Sequence, residues 1–378
     1  MEEITRHLSE VIGPRPAGSE ADHQAAKYLL GTMKNMGLDV QLQPFKFMGW
    51  EPTGPTNVEI LAPFNKTLSS GCFMFSDSTP KGGITGKLTF VGTMYLCPGM
   101  FEWPKYVVKN EKDEACGYII ANTGGRAINF VLHELGRQFG RAPYIMVDKD
   151  AHDLFQKELN AGREVQVCIE TSGRILADMT TANVIGRIQG SSLPDEEIVL
   201  CAHYDASPQS HGADDNASGV EAMLQVAERI QSRGRPQKTV TFIAFAAEEY
   251  LCYGSKYFVQ TLKENGLLGR IKNVLNLDMV GHGEYLWVHV APESYRRQIE
   301  SAFQKDISDL IGWDWTSAIM PISDHHPFFV EGIPSAMFIC WPYEDYHQPS
   351  DTFDKIDPDL IRKSAIAADG VIRRLAGV

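Results

Sequence analysis

Two histidines and four carboxylates of this chain stand where a polypeptide could assemble a metal centre. His203 closes the apolar run Val199-Leu200-Cys201-Ala202, and an imidazole there can bind a transition metal. Asp205, two residues on, is positioned to accept the other ring N–H, which fixes the tautomer and raises ligand basicity. Asp214-Asp215 lie in a Gly-Ala turn before a helix. Acids there often cap the helix or complement its dipole, but a carboxylate has two oxygens and one of these could bridge two cations. Glu248-Glu249 follow the apolar strand Val240–Phe245. Neighbouring side chains at a strand end point apart, so one can ligate a metal while the other faces a water as general base. Asp278 sits inside Val274–Val280, and a buried acid there is costly unless paired or metal-bound. His347 lies in the turn-rich loop Tyr346–Thr352. Singly, each has a bland reading: a loop histidine, an exposed acidic pair, a carboxylate held by lysine or arginine. Together they form the mixed nitrogen and oxygen donor set that zinc accepts.

The elements that must position these residues are legible from residue 180 onward. Strands are expected over Ile198–Ala206, Thr239–Ala247, Asn273–Val280 and Ser335–Trp341, and helices over Ala217–Arg233, Ser255–Glu264, Glu293–Ile311 and Pro358–Leu375. Near-continuous apolar strands alternating with helices imply an α/β fold, a mixed and mainly parallel sheet covered on both faces. Such sheets bind ligands outside the carboxyl ends of their strands. Nearer the N-terminus, residues 1–12 read as a short helix. Ser19 caps a second helix that ends at Gly37, and Leu38–Gln43 alternate as a strand that Pro44 confines to an edge or stops. From about Pro52 the apolar runs shorten and glycine and proline multiply, as in a small β-rich inserted module. The division expected is 1–50 with 175–378 for the main domain and 51–174 for the insert.

With 43% apolar residues, 378 residues can build a sizeable core and about two domains. A net charge of -13 argues against nucleic acid and anionic membranes as partners. Seven scattered cysteines, an odd number without a C-x-x-C pair, argue against a disulfide framework. No apolar run reaches the length of a membrane-spanning helix, and the charged start Met1–His7 has no signal-peptide core. The expected location is therefore the cytoplasm, unless an export signal has been removed.

The order of these segments resembles the zinc exopeptidase family that includes the bacterial di-zinc leucine aminopeptidases, the glutamate carboxypeptidases and glutaminyl cyclase. The matching stretches are Gly13–Ser19, His203–Asp205, Gly212–Gly219, Ala247–Glu249 with Gly254-Ser255, Asn276–Asp278, Ser323–His325 with Gly332–Pro334, and His347–Thr352. The likeness covers roughly residues 1–50 and 175–378. The middle region is similar to the protease-associated insert of some members, through Gly86–Leu88 and Cys116–Ile120.

This resemblance implies two zinc ions bridged by Asp215, with His203 and Asp278 completing one site, Glu249 and His347 the other, and Glu248 as general acid and base. It also implies a cis peptide at Asp215–Asn216, leaves Asp214 outside the ligand set, and assigns structural roles to Asp324 and His325. Some members steady the oxyanion with a tyrosine before the Ser-Asp-His segment. This chain has none in Ala318–Ile322, and Tyr346 resembles the alternative placement. The implied activity is removal of N-terminal residues from peptide substrates. The absence of an arginine cluster near the motifs disfavours the carboxypeptidase branch. A one-zinc glutaminyl cyclase and a catalytically dead binding module are the rival readings, and a homo-oligomer stays open. Phe328, Phe329, Trp313, Trp315, Met320 and Cys252 are candidates to line an apolar side-chain pocket.

Overall fold

Seven successive residues, Glu197 to His203, are buried along one strand. A strand covered on both faces must be apolar almost throughout, and this one is. It lies inside an eight-stranded sheet, whose strands are labelled here β1 (Asp39–Pro52), β2 (Gly173–Ile188), β3 (Leu193–His203), β4 (Lys238–Phe245), β5 (Ile271–Leu277), β6 (Tyr285–Ala291), β7 (Trp313–Thr316) and β8 (Ser335–Trp341). The sheet order is β1-β2-β4-β3-β5-β8-β6-β7. At its centre β4, β3, β5 and β8 run parallel. Flanking this core, β2 is antiparallel to β4 and β6 is antiparallel to β8, while β7 is parallel to β6. The computed structural model describes residues 3–97, 101–131, 141–306, 312–317, 319 and 321–378.

Helices cover the two faces. They are α1 (Glu20–Asn35), α2 (Gly219–Arg233), α3 (Tyr253–Glu264), α4 (Glu293–Asp306), the short α5 (His326–Val330) and α6 (Pro358–Ala376). On one face, α2 packs on α6 and α6 on α4. Against the other, Phe258 and Val259 of α3 and Phe328 of α5 join Val199, Cys201, Ile243 and Phe245 in one apolar cluster. Ser19 caps α1, its Oγ accepting the Asp22 N–H at 3.1 Å. Asp357 caps α6, with Pro358 in the first turn. The sequence foretold no strand at Tyr285–Ala291 or Trp313–Thr316, because pairing, of the first with β8 and of the second with the first, and not local pattern defines them. Pro44 does not stop β1, since an edge strand needs no N–H on its open side. The expected helix over residues 1–12 is an α turn, Glu3–Arg6, that continues as a π-helical turn, His7–Ile12. The C-terminal end expected for α4, Ile311, lies outside the described residues.

The chain divides into two units: Met1–Phe47 with Met179–Val378, and Met48–Asp178. The second unit is a nine-stranded sheet with the helix Lys149–Asn160. Ala151 and Phe155 of that helix bury against Val58, Ile60, Tyr106 and Val147. No helix among the described residues is long and apolar enough to cross a membrane.

Candidate metal centre

Four parallel strands end at one edge of the first unit, and the donor residues sit there. His203 is the last residue of β3, Asp278 directly follows β5, Glu248-Glu249 follow β4, and His347 lies beyond β8. Asp215 arrives from the segment between β3 and α2. That segment is tightly built. Gly212 has φ +59°, and a Cβ there would lie 2.6 Å from both Ala206 Cβ and the Asp215 carbonyl oxygen, so only glycine fits without strain. The Asp215–Asn216 peptide is cis.

Side chains of this segment then stitch it to the backbone around Asp278. Asn216 Nδ2 donates to the Leu277 carbonyl at 2.9 Å, and its Oδ1 accepts from the Met279 N–H at 3.1 Å. Ser218 Oγ accepts from the Val280 N–H at 3.0 Å, and Asp214 Oδ1 from the Gly281 N–H at 2.8 Å. Asp214 therefore commits its Oδ1 to the backbone, and it belongs to neither donor group. Ser323 Oγ donates to Asp278 Oδ2 at 2.5 Å and accepts from Asn276 Nδ2 at 2.7 Å, which fixes the orientation of Asp278.

The result is two donor groups that share one residue: His203, Asp215 and Asp278, and Asp215, Glu249 and His347, all buried. Asp215 Oδ1 is 3.1 Å from His203 Nε2, while its Oδ2 is 3.2 Å from His347 Nε2. His203 Nε2 is 3.4 Å from Asp278 Oδ1, and His347 Nε2 is 3.0 Å from Glu249 Oε2. Donors about 2.0–2.2 Å from a tetrahedral zinc stand about 3.3 Å from one another, so both groups have the spacing of a ligand set. Glu249 Oε1 is buried without a hydrogen-bond partner among the described residues, which suits a cation. Glu248 stands beside the sets, its Oε2 4.0 Å from His203 Nε2.

Charge repeats this pattern. Burial alone would push His203 down, but Glu248 and Asp278 hold its imidazole well above the usual range. For His347 burial acts in the same way, and Glu249 and Asp215 overcome it. Burial would raise Asp215, yet the two histidines hold it below the ordinary carboxylate range. Burial also pushes Glu248 well above that range, aided by Asp278, Asp324 and Glu249. So many buried acids crowded around two imidazoles are an expensive arrangement without added positive charge.

Asp205 sits otherwise than the sequence suggested. The His203 Nδ1 contact within hydrogen-bond range is the main-chain oxygen of Asp205 at 3.2 Å, while the carboxylate is 3.6 Å away. That carboxylate instead accepts the N–H groups of Glu248 at 3.2 Å and Glu249 at 3.3 Å, and so orients the acidic pair. Tyr346 stacks on His347, ring centroids 3.8 Å apart, and meets the Trp341 ring in a T-shaped contact at 5.8 Å. Asp324 accepts from Ser255 Oγ at 2.5 Å, and neither ring nitrogen of the buried His325 has a hydrogen-bond partner among the described residues. Neither residue joins a donor group.

Of the pocket candidates, Phe328 belongs to the core beneath the sheet, Trp315 lies under the Arg296 guanidinium, and Trp313 packs on Phe303. Cys252 Sγ lies 3.6 Å from Glu248 Oε1, and Met320 falls outside the described residues. Sequence reasoning missed Arg15. It is fully buried and donates to the main-chain oxygens of Tyr204 (2.5 Å), His211 (2.6 Å) and Gly212 (2.7 Å), tying the N-terminal segment to the loop after β3. A lone arginine between two prolines was the available signal.

Known proteins resemble this chain in sequence and fold. Residues 183–370 match the model of peptidase family M28. Aminopeptidase YwaD of Bacillus subtilis (strain 168) is 28% identical over 94% of this chain and 80% of its own length. A solved aminopeptidase from Aneurinibacillus sp. strain AM-1 superimposes with a TM-score of 0.74 at 24% identity, covering 99% of this chain and 93% of its own. BSAP, a zinc aminopeptidase from Bacillus subtilis, gives a TM-score of 0.71 at 23% identity, with coverage of 99% and 94%.

Proposed function

Because this chain belongs to peptidase family M28, the zinc-dependent exopeptidases, we propose that it is an aminopeptidase holding two zinc ions, His203 and Asp278 serving one, Glu249 and His347 the other, and Asp215 both. One observation carries the pair over a single ion: the two oxygens of Asp215 face two different histidines, at 3.1 and 3.2 Å.

Zinc bound there supplies Lewis-acid polarisation of the scissile carbonyl and a water of lowered pKa. The remaining work falls to the protein. Glu248 is the general base. It lies beside the donors, and burial has already raised its proton affinity toward the range where a carboxylate can both take and return a proton. It removes a proton from the attacking water, the carbonyl carbon–nitrogen bond breaks, and Glu248 returns the proton to the departing amine. Asp205 holds Glu248 and Glu249 by their N–H groups, so the two carboxylates diverge as their separate tasks require. The Tyr346 hydroxyl, carried on a ring stacked against His347, is the donor for the developing oxyanion. The acidic walls favour a substrate with a free α-amine.

A carboxypeptidase would need a cation to hold the substrate's carboxylate. Arg15, the arginine buried by this centre, donates to main-chain carbonyls, which supports the aminopeptidase over that alternative. A glutaminyl cyclase would use one zinc. The deciding experiment measures zinc per chain by elemental analysis and compares aminoacyl-anilides with their N-acetylated forms. Two zinc ions and hydrolysis of the free-amine compounds alone are expected. Equal cleavage of the acetylated compounds, or one zinc with release of pyroglutamate from N-terminal glutamine, overturns the proposal.

A further inference from the structure

Four residues after His347, Asp351 is fully buried. Its main-chain oxygen accepts the Ala213 N–H at 3.3 Å. Its Oδ1 accepts the Asp214 N–H at 2.8 Å, and its Oδ2 the Asp215 N–H at 3.2 Å. Three consecutive N–H groups, ending at the residue between the two histidines, thus all end on one aspartate 137 positions away from Asp214. The Tyr343 hydroxyl donates to the same Oδ1 at 2.8 Å and steadies the carboxylate. Asp205 does the equivalent work beneath Glu248 and Glu249, so each acidic pair of the centre has a buried carboxylate beneath its backbone.

We propose that Asp351 is a positioning residue for Asp215, holding its backbone so that its two oxygens face His203 and His347, and at the same time tying the loop of His347 to that of Asp215. This rests on the two-zinc reading above. Without the Asp351 carboxylate, the Asp214 and Asp215 N–H groups in a buried turn would lose their acceptors, and the turn would settle elsewhere. A bridging carboxylate tolerates little displacement, because each oxygen must meet a different partner within a few tenths of an ångström. Glycine at 212 and the side chains of Asn216 and Ser218 anchor the turn from its other side. Asp351 links it to the histidine loop through both backbone and side chain.

The test is Asp351→Asn, which keeps the shape but puts an amide NH2 against one of the N–H donors. Chelator-stripped wild type and variant are titrated with zinc against a chromophoric chelator, and bound zinc, kcat, KM and the metal-free Tm are recorded. The expected result is a loss of zinc affinity of about 10- to 100-fold, the scale for partners that orient ligands, with kcat falling and KM within about threefold. A purely structural role would lower the metal-free Tm while the folded variant bound zinc like wild type, and that outcome overturns the proposal. Should Asp351→Asn fail to fold, Tyr343→Phe decides: affinity weakened by about 2- to 10-fold sustains it, and unchanged affinity refutes it. A wild type that takes up no zinc defeats the two-zinc reading itself, a result separable from a variant that matches a two-zinc wild type.

Discussion

Replacing Glu248 by glutamine separates proton transfer from metal holding. The amide keeps the length and shape of the side chain. The Glu248 carboxylate is 4.0 Å from His203 Nε2, whereas neighbours within the two donor groups lie 3.0–3.4 Å apart. It therefore contributes no ligand, and zinc per chain should not change. Its N–H stays on Asp205 and its Oε1 can keep the Cys252 contact, so the backbone of the acidic pair is undisturbed. What disappears is a group that can take a proton from water and return it to the amine. General acid–base catalysis is worth about 10²- to 10⁴-fold, so kcat should fall by that factor, about 3–5 kcal/mol of barrier, with KM changed by less than about threefold. Steady-state hydrolysis of a leucyl-anilide, with elemental analysis of the same samples, measures both quantities. A kcat within about tenfold of wild type would refute the assignment of the base, and zinc falling to one per chain would mean that Glu248 is a ligand.

Other perturbations probe the scaffold. Gly212→Ala forces a side chain into a left-handed backbone (φ +59°) and 2.6 Å from the Asp215 oxygen; stability in urea should drop by about 2–4 kcal/mol, with less bound zinc. Phe328→Ala should cost about 3–5 kcal/mol of stability while leaving KM for apolar aminoacyl-anilides within about twofold, since the ring lies in the core; a large rise in KM at unchanged stability would return it to the substrate pocket. Asp22 is buried, accepting from Thr181 Oγ1 at 2.6 Å and the Gly18 N–H at 3.0 Å, and burial raises its pKa to about 6. A raised folded pKa favours the protonated form, so this residue's stabilising contribution is complete below about pH 4 and is lost as pH rises through about 6. Relative to Asp22→Asn, wild type should therefore lose on the order of 3 kcal/mol across that window, read from urea unfolding at each pH.

The amino-acid sequence by itself singled out the candidate donor residues. Strands buried on both faces leave long apolar runs, and a histidine or acid that ends or interrupts such a run stands out against it, as His203, Glu248-Glu249 and Asp278 do. The alternation of strands and helices likewise fixed the parallel core of the sheet. Tertiary structure decided what lies beneath. Asp205 reads in sequence as a partner for an imidazole, but its carboxylate supports two backbone N–H groups that only the packing of β4 beside β3 brings close. Phe328 looks like a pocket residue until α5 turns it under the sheet. Arg15 and Asp351 carry no periodicity of their own, because most of their partners are backbone atoms and every residue has those. Which N–H or carbonyl a buried charge will meet depends on loops more than a hundred positions apart arriving at one sheet edge, and that information exists only in the folded chain.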